Sequence, residues 1–253
     1  MPRRRDVRRF GRGPYLLGFE RDPDHWGEGF PFTVPAVAAV EALRLDAPVT
    51  LLAGDNGTGK STIAEAVAEA MGFAEEGGEL ERSGELPPVP RPALRGALVP
   101  VLGVRKPRNG YFLRAESFFN LAQLVDGGSR FAPDVSLYGG VPLHGQSHGQ
   151  SFLALAANRF GGGSLYVLDE PEAALSVSGA LALLTIMVRA ADAGAQFLVA
   201  THSPVLLACP GARVYELDAD GFAEREYDDL EAVRLTRAFL DAPDRFLRAA
   251  LDD

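Results

Sequence analysis

The sequence predicts an α/β fold with a largely parallel central sheet flanked by helices, and three observations point to it. Continuous apolar runs at PVTLLAG (48–54), LYVLDEP (165–171) and QFLVATHSP (196–204) read as strands buried on both faces. Segments of helical composition or spacing stand between them, so strands and helices alternate. At 253 residues, with 47% hydrophobic and 23% charged side chains, the chain is long enough to bury a sizeable core around such a sheet.

The elements follow in chain order. Residues 1–14 form a basic arm with Arg3, Arg4, Arg5, Arg8, Arg9 and Arg12, and residues 15–253 read as one domain. The strand at 48–54 runs into a glycine loop and then into STIAEAVAEAMGF, whose alanine-rich composition is helical as far as Gly72. Residues 75–96, rich in Gly, Pro and charge, read as a loop or insert. YFLRAESFFNLAQLV (111–125) reads as a strand running into a helix, and a small helical subdomain is expected over about 117–160. SFLALAANRF places apolar residues at helical spacing and GGG (161–163) ends it. After the acidic strand come a helix in SGALALLTIMVRAADAG, the strand at 196–204, a C-terminal β-hairpin about Asp220-Gly221, and two short helical stretches around Pro243.

Composition removes several classes of function. One cysteine, Cys209, excludes an internal disulfide and a cysteine-rich zinc site, and reads as a small buried hydrophobe. The longest mostly apolar run, Gly179 to Val188, falls short of the roughly 20 residues of a spanning helix, and no apolar segment follows the basic start. A cytoplasmic location is therefore expected, with a membrane partner disfavoured. The net charge of −9 argues against a broad nucleic-acid surface, although the arm could contact phosphates and leaves DNA open as a partner. Lysine occurs twice, at Lys60 and Lys106, against 23 arginines, so a lysine marks a place where a compact ammonium is wanted.

Gly54-Asp55-Asn56-Gly57-Thr58-Gly59-Lys60-Ser61 fits the phosphate-binding pattern G-x-x-x-x-G-K-[ST], between a strand and a helix. The glycines let backbone N–H groups converge on phosphate oxygens at a helix N-terminus. Lys60 is then the ligand of the β- and γ-phosphates of ATP and Ser61 a ligand of Mg²⁺, with Thr62 counted as part of the loop. Asp169 and Glu170 close a buried strand: Asp169 is assigned to Mg²⁺ and Glu170 to the attacking water. His202 follows another core strand, where ligands of α/β sheets bind, and is assigned to the γ-phosphate. HGQSHGQS (144–151) is a four-residue unit written twice, readable as a stutter, as a metal loop using His144 and His148 with nothing nearby to complete it, or as half of a site.

Ser147-His148-Gly149-Gln150, with SFLALAANRF behind it, resembles the Ser-Gly-Gly-Gln signature of ATP-binding-cassette (ABC) ATPases at the start of its helix. It lies 22 residues before Asp169, and His202 lies 33 after it; order and spacing suit that superfamily of P-loop NTPases. The resemblance implies a head-to-tail, ATP-dependent homodimer, in which Ser147, Gly149 and Gln150 bind ATP held by the other subunit. It also implies a Mg²⁺-sensing residue after the next strand, where Glu116 stands and Gln123 is the alternative. The sequence departs from the pattern at His148 in place of the first glycine, at Gln146 in place of a leucine, and at Ser176 where transporters have aspartate.

The set GDNGTGKS, FLRAESFFN, SHGQSF, LDEPEAALS and ATHSP resembles the stand-alone AAA-type ATPases of bacteria, relatives of chromosome-maintenance and recombination ATPase heads. Only 86 residues separate Ser61 from Ser147, and no heptad run is visible, so no coiled-coil arm is expected. Three functions follow as expectations: a soluble ATPase with ATP-gated dimerisation, in DNA maintenance or defence; the ATPase subunit of a membrane transporter; and a P-loop small-molecule kinase. Phe30 and Phe32 are candidates for stacking on the base.

Overall fold

The computed structural model describes residues 14–73, 78–79, 93–114 and 147–251. In chain order these contain β1 (Leu16–Arg21), α1 (Pro35–Ala38), β2 (Ala42–Arg44), β3 (Val49–Ala53), α2 (Lys60–Ala70), β4 (Gly78–Glu79), α3 (Ala93–Ala97), β5 (Leu98–Leu102) and β6 (Asn109–Arg114). Then follow α4 (His148–Arg159), β7 (Ser164–Asp169), α5 (Val177–Asp192), β8 (Gln196–Ala200), α6 (Pro204–Leu207), β9 (Arg213–Asp218), β10 (Gly221–Glu224), α7 (Glu231–Asp241) and α8 (Pro243–Leu251).

The central sheet has the order β10-β9-β3-β8-β7-β6-β4 among the described residues. The five inner strands run parallel, and β10 and β4 close the edges antiparallel. Every residue of β3, β7 and β8 is buried, which is why their sequences are apolar without alternation. Successive residues still face opposite sides. Leu51, Tyr166 and Phe197 join the core built with Phe152 and Leu155 of α4 and Leu183 and Met187 of α5. Leu52, Val167 and Leu198 join the other core, with Ile63 and Val67 of α2 and Phe19 of β1.

The N-terminal region, which carried no strand expectation, forms a second sheet of order β2-β1-β5, antiparallel throughout. Pro100 sits inside β5, where it is tolerated because β5 is an edge strand. Gln196, the first residue of β8, fastens this sheet to the central one. Its Oε1 accepts from the Tyr15 and Leu16 N–H groups, and its Nε2 donates to the Leu16 and Leu45 carbonyls.

Of the segment 75–96, the described residues are β4 and the start of α3. The expected hairpin is present one residue early: Ala219 and Asp220 form the turn, the Asp220 N–H donates to Asp218 Oδ1 at 2.8 Å, and Gly221 opens β10. Its first strand, β9, pairs parallel with β3, so the hairpin is the rim of the central sheet. Among the described residues, no helix is long and apolar enough to cross a membrane. Most of the basic arm, Glu116, Gln123 and residues 144–146 lie outside the described residues.

Candidate functional site

The sheet order puts β8 between β3 and β7, so the loops leaving the C-terminal ends of these strands meet although they are far apart in sequence. At about 4.8 Å per strand the three ends span roughly 10 Å. Gly54, Gly57 and Gly59 all have positive φ (141°, 83° and 103°), the backbone that lets the loop turn its N–H groups inward before α2 begins. At Gly54 a Cβ would also lie 2.3 Å from the Leu217 carbonyl oxygen. The first turn of α2 holds no acidic residue, so nothing there competes with an anion. Lys60 is buried; its Nζ donates to the Asp55 carbonyl at 2.8 Å and lies 3.7 Å from Glu170 Oε1. Thr58 Oγ1 donates to the same carbonyl at 2.9 Å.

Ser61 and Asp169 line the same cleft, the hydroxyl lowering the Asp169 carboxyl pKa. The Asp169 carboxyl is 8% exposed, and its Oδ1 is buried without a hydrogen-bond partner. Burial above all raises its pKa, against the Ser61 hydroxyl and the charges of Arg114 and Lys60. A buried, under-satisfied carboxylate beside a hydroxyl is an oxygen-donor pair that fits Mg²⁺. Among the described residues no three His, Cys, Asp or Glu side chains cluster as a metal cage. One hydroxyl and one carboxylate would leave the other positions around such an ion to phosphate and water.

Glu170 is the one non-glycine residue with positive φ (46°) among those described, and its N–H donates to the Ala200 carbonyl at 2.9 Å. This left-handed turn at the end of β7 sets the carboxylate 3.7 Å from both Lys60 Nζ and His202 Nδ1. The cleft beside it has a volume of about 380 Å³ and is lined by Asn56, Lys60, Ser61, Thr62, Arg114 and Asp169 as well as Glu170. Phe30 stands at its rim, 79% exposed, whereas Phe32 is buried 4.9 Å from Trp26 and is removed as a base-stacking candidate. Lys106, the other lysine, lines a different groove with Tyr15, Arg105 and Arg108.

Ser147, Gly149 and Gln150 do not line this cleft; they open α4. Ser147 Oγ accepts from the Gln150 N–H at 3.4 Å and Gln150 Oε1 from the Ser147 N–H at 3.1 Å, a capping box. Gly149 is required by close approach: a Cβ there would lie 2.5 Å from the Ala174 carbonyl oxygen. At the far end of α4, Tyr166 Oη donates to the Arg159 carbonyl at 3.0 Å and accepts from the Gly161 N–H at 2.8 Å, locking the helix to β7.

Two residues of the site carried no expectation. Arg114, within FLRAES, pairs with Glu65 at 2.7 Å and approaches Asp169 at 3.7 Å. Glu172, inside LDEPEAALS, accepts from Thr201 Oγ1 (2.6 Å) and from the N–H groups of His202 (2.8 Å) and Ser203 (3.1 Å). Both stood inside quoted motifs, but their partners became visible only in three dimensions.

Residues 134–208 match the family described as "AAA domain, putative AbiEii toxin, Type IV TA system". No curated protein matches the sequence significantly. Among solved structures, a putative metal-chelate type ABC transporter in an inward-facing conformation is similar with TM-score 0.50 and 18% identity, over 85% of this chain and 84% of that one. The SMC head domain from Thermotoga maritima gives TM-score 0.46 and 17% identity, over 84% and 100%. A nucleotide-free ATP-binding cassette from an ABC transporter gives 0.47 and 14%, over 83% and 91%. The AbiEii-like match runs through the Ser147 segment, the acidic strand and His202, and the likeness at TM-score 0.50 shows that the fold around them is of the ABC-ATPase type.

Proposed function

We propose that the protein binds ATP with Mg²⁺ and hydrolyses it to ADP and phosphate, and that two copies pair head-to-tail with ATP between them. The observation that carries the reading is the placement of Glu170 within 3.7 Å of both Lys60 and His202, beside the Ser61–Asp169 pair and a glycine loop that opens a helix. Loop N–H groups and Lys60 bind the β- and γ-phosphates in a partly buried setting, where charge stabilisation is strong. Asp169 and Ser61 would hold Mg²⁺, which when bound neutralises charge on the phosphate oxygens. Glu170 orients the attacking water and takes its proton, and His202 faces the γ-phosphate that leaves ADP. Glu116, the second residue after β6 in the sequence, is proposed as a further ligand of metal-bound water.

Ser147 and the N-terminus of α4 are exposed and free of acidic residues in the first turn, which favours a γ-phosphate presented from outside. Hydrolysis would remove that bridge, so the dimer acts as an ATP-gated switch. The AbiEii-like match favours a setting in defence, with DNA maintenance as the other setting.

The test is the mass in solution of Glu170→Gln with and without Mg-ATP, beside Ser147→Arg/Glu170→Gln. ATP is expected to double the 27.0 kDa mass of the first and not of the second. A Glu170→Gln protein that binds ATP yet stays monomeric would refute the dimer, and unchanged turnover would refute Glu170 as the base.

A further inference from the structure

Glu172 sits in the 3₁₀ turn Pro171–Ala174, directly between the residue assigned to the water and the residue that packs on α4. Its side chain is 9% exposed, and one oxygen, Oε1, gathers three donors from residues 201–203. The Ser203 N–H also donates to Thr201 Oγ1 at 3.0 Å, and Glu172 Oε1 lies 3.5 Å from His202 Nδ1. Bonds to an ionised acceptor are the strong kind, and burial excludes the water that would replace them. The backbone of residues 201–203 is therefore pinned while the His202 ring stays 48% exposed, with Nδ1 3.7 Å from Glu170 Oε1. The same turn carries the Ala174 carbonyl that excludes any side chain at position 149.

We infer that Glu172 is the positioning residue of the site: it fixes His202 against Glu170 and ties that geometry, through Ala174, to the start of α4. It touches no nucleotide and acts through His202. This rests on the ATPase reading. If it holds, the γ-phosphate contact in one subunit and the segment offered to the other subunit's ATP share one short turn.

The experiment compares the parent with Glu172→Ala, Glu172→Gln and Thr201→Val, reading ATP affinity, kcat, KM and amide exchange at His202 and Ser203. Glu172→Ala is expected to keep ATP affinity and KM, to lose about 10²-fold in kcat, the scale of an ångström-level misplacement, and to exchange the two amides faster. Glu172→Gln keeps the accepting oxygen and is expected to restore most of kcat and the protection. Thr201→Val removes one bond alone and falls between, which keeps the test alive if Glu172→Ala does not fold. A kcat equal to the parent's in Glu172→Ala, or a loss of ATP affinity as large as the loss of kcat, overturns the inference. A parent that binds but does not hydrolyse ATP overturns the ATPase reading and this role with it. A parent that turns over beside an equally active Glu172→Ala overturns this role alone.

Discussion

Gln196→Leu should detach the N-terminal sheet from the central one. The side chain is 3% exposed, and its carboxamide makes four bonds of 2.6–3.0 Å to backbone groups 151 to 181 residues away. Leucine has a similar volume, so packing survives while the Tyr15 and Leu16 N–H groups and the Leu16 and Leu45 carbonyls lose a buried partner. At the low end of about 1 kcal/mol for each stranded group, the loss is about 4 kcal/mol, against a total stability of about 5–15 kcal/mol for an ordinary domain. With a urea slope of about 2 kcal/mol per molar, the midpoint should fall by about 2 M. Trp26, the single tryptophan, lies just after β1 beside Arg21 and Phe32. Its fluorescence should change before the far-ultraviolet circular dichroism does. A midpoint within about 0.5 M of the parent's, or coincident transitions at the parent's position, would refute the reasoning.

Three further outcomes are expected. Gly149→Ala forces the start of α4 away from Ala174; sedimentation should show ATP-driven pairing weakened by about tenfold or more, as for overpacking, with ATP binding by the monomer intact by calorimetry. Asp46 is partly buried, which would raise its carboxyl pKa, but hydrogen bonds from Arg213 and Arg44 outweigh burial and hold it below 3.8. A lowered folded value stabilises at pH above the usual carboxylate range and is lost as pH falls through it. Asp46→Asn should therefore cost up to about 1 kcal/mol near neutrality, and a thermal-melt difference that persists undiminished in strong acid would contradict this. Burial pushes the Cys209 thiol up to about 12, so iodoacetamide near pH 8 should label it only as fast as the protein opens; rapid labelling of the native protein would show the core placement to be wrong.

What was legible in the sequence was local. Gly54 to Ser61 announces itself because a phosphate cradle needs its backbone turns and its lysine within eight consecutive residues. Asp169, Glu170 and His202 are legible because each closes an apolar run. Glu172 and Gln196 were not, since a buried polar side chain has no periodicity and its meaning lies in partners 29 to 181 residues away. The sheet of β1, β2 and β5 escaped for a related reason: its strands are short, lack clean alternation, and pair across long stretches of chain. Phe30 and Phe32 are indistinguishable in composition and separated only by burial. Ser147 and Gln150 serve in the structure as a capping box, and the proposed phosphate-binding signature uses the same letters.

The left-handed backbone of Glu170 gives selection an awkward choice at that position. Holding a non-glycine residue there costs about 1–2 kcal/mol, and glycine would relieve it at once. Under the proposed function, the easiest stabilising substitution at the end of β7 would thus be one that removes the water-orienting carboxylate while sparing the glycine loop. On that reading, descendants of this chain that drift under weak demand for hydrolysis would have a downhill route to sturdier proteins that still take nucleotide and no longer let it go.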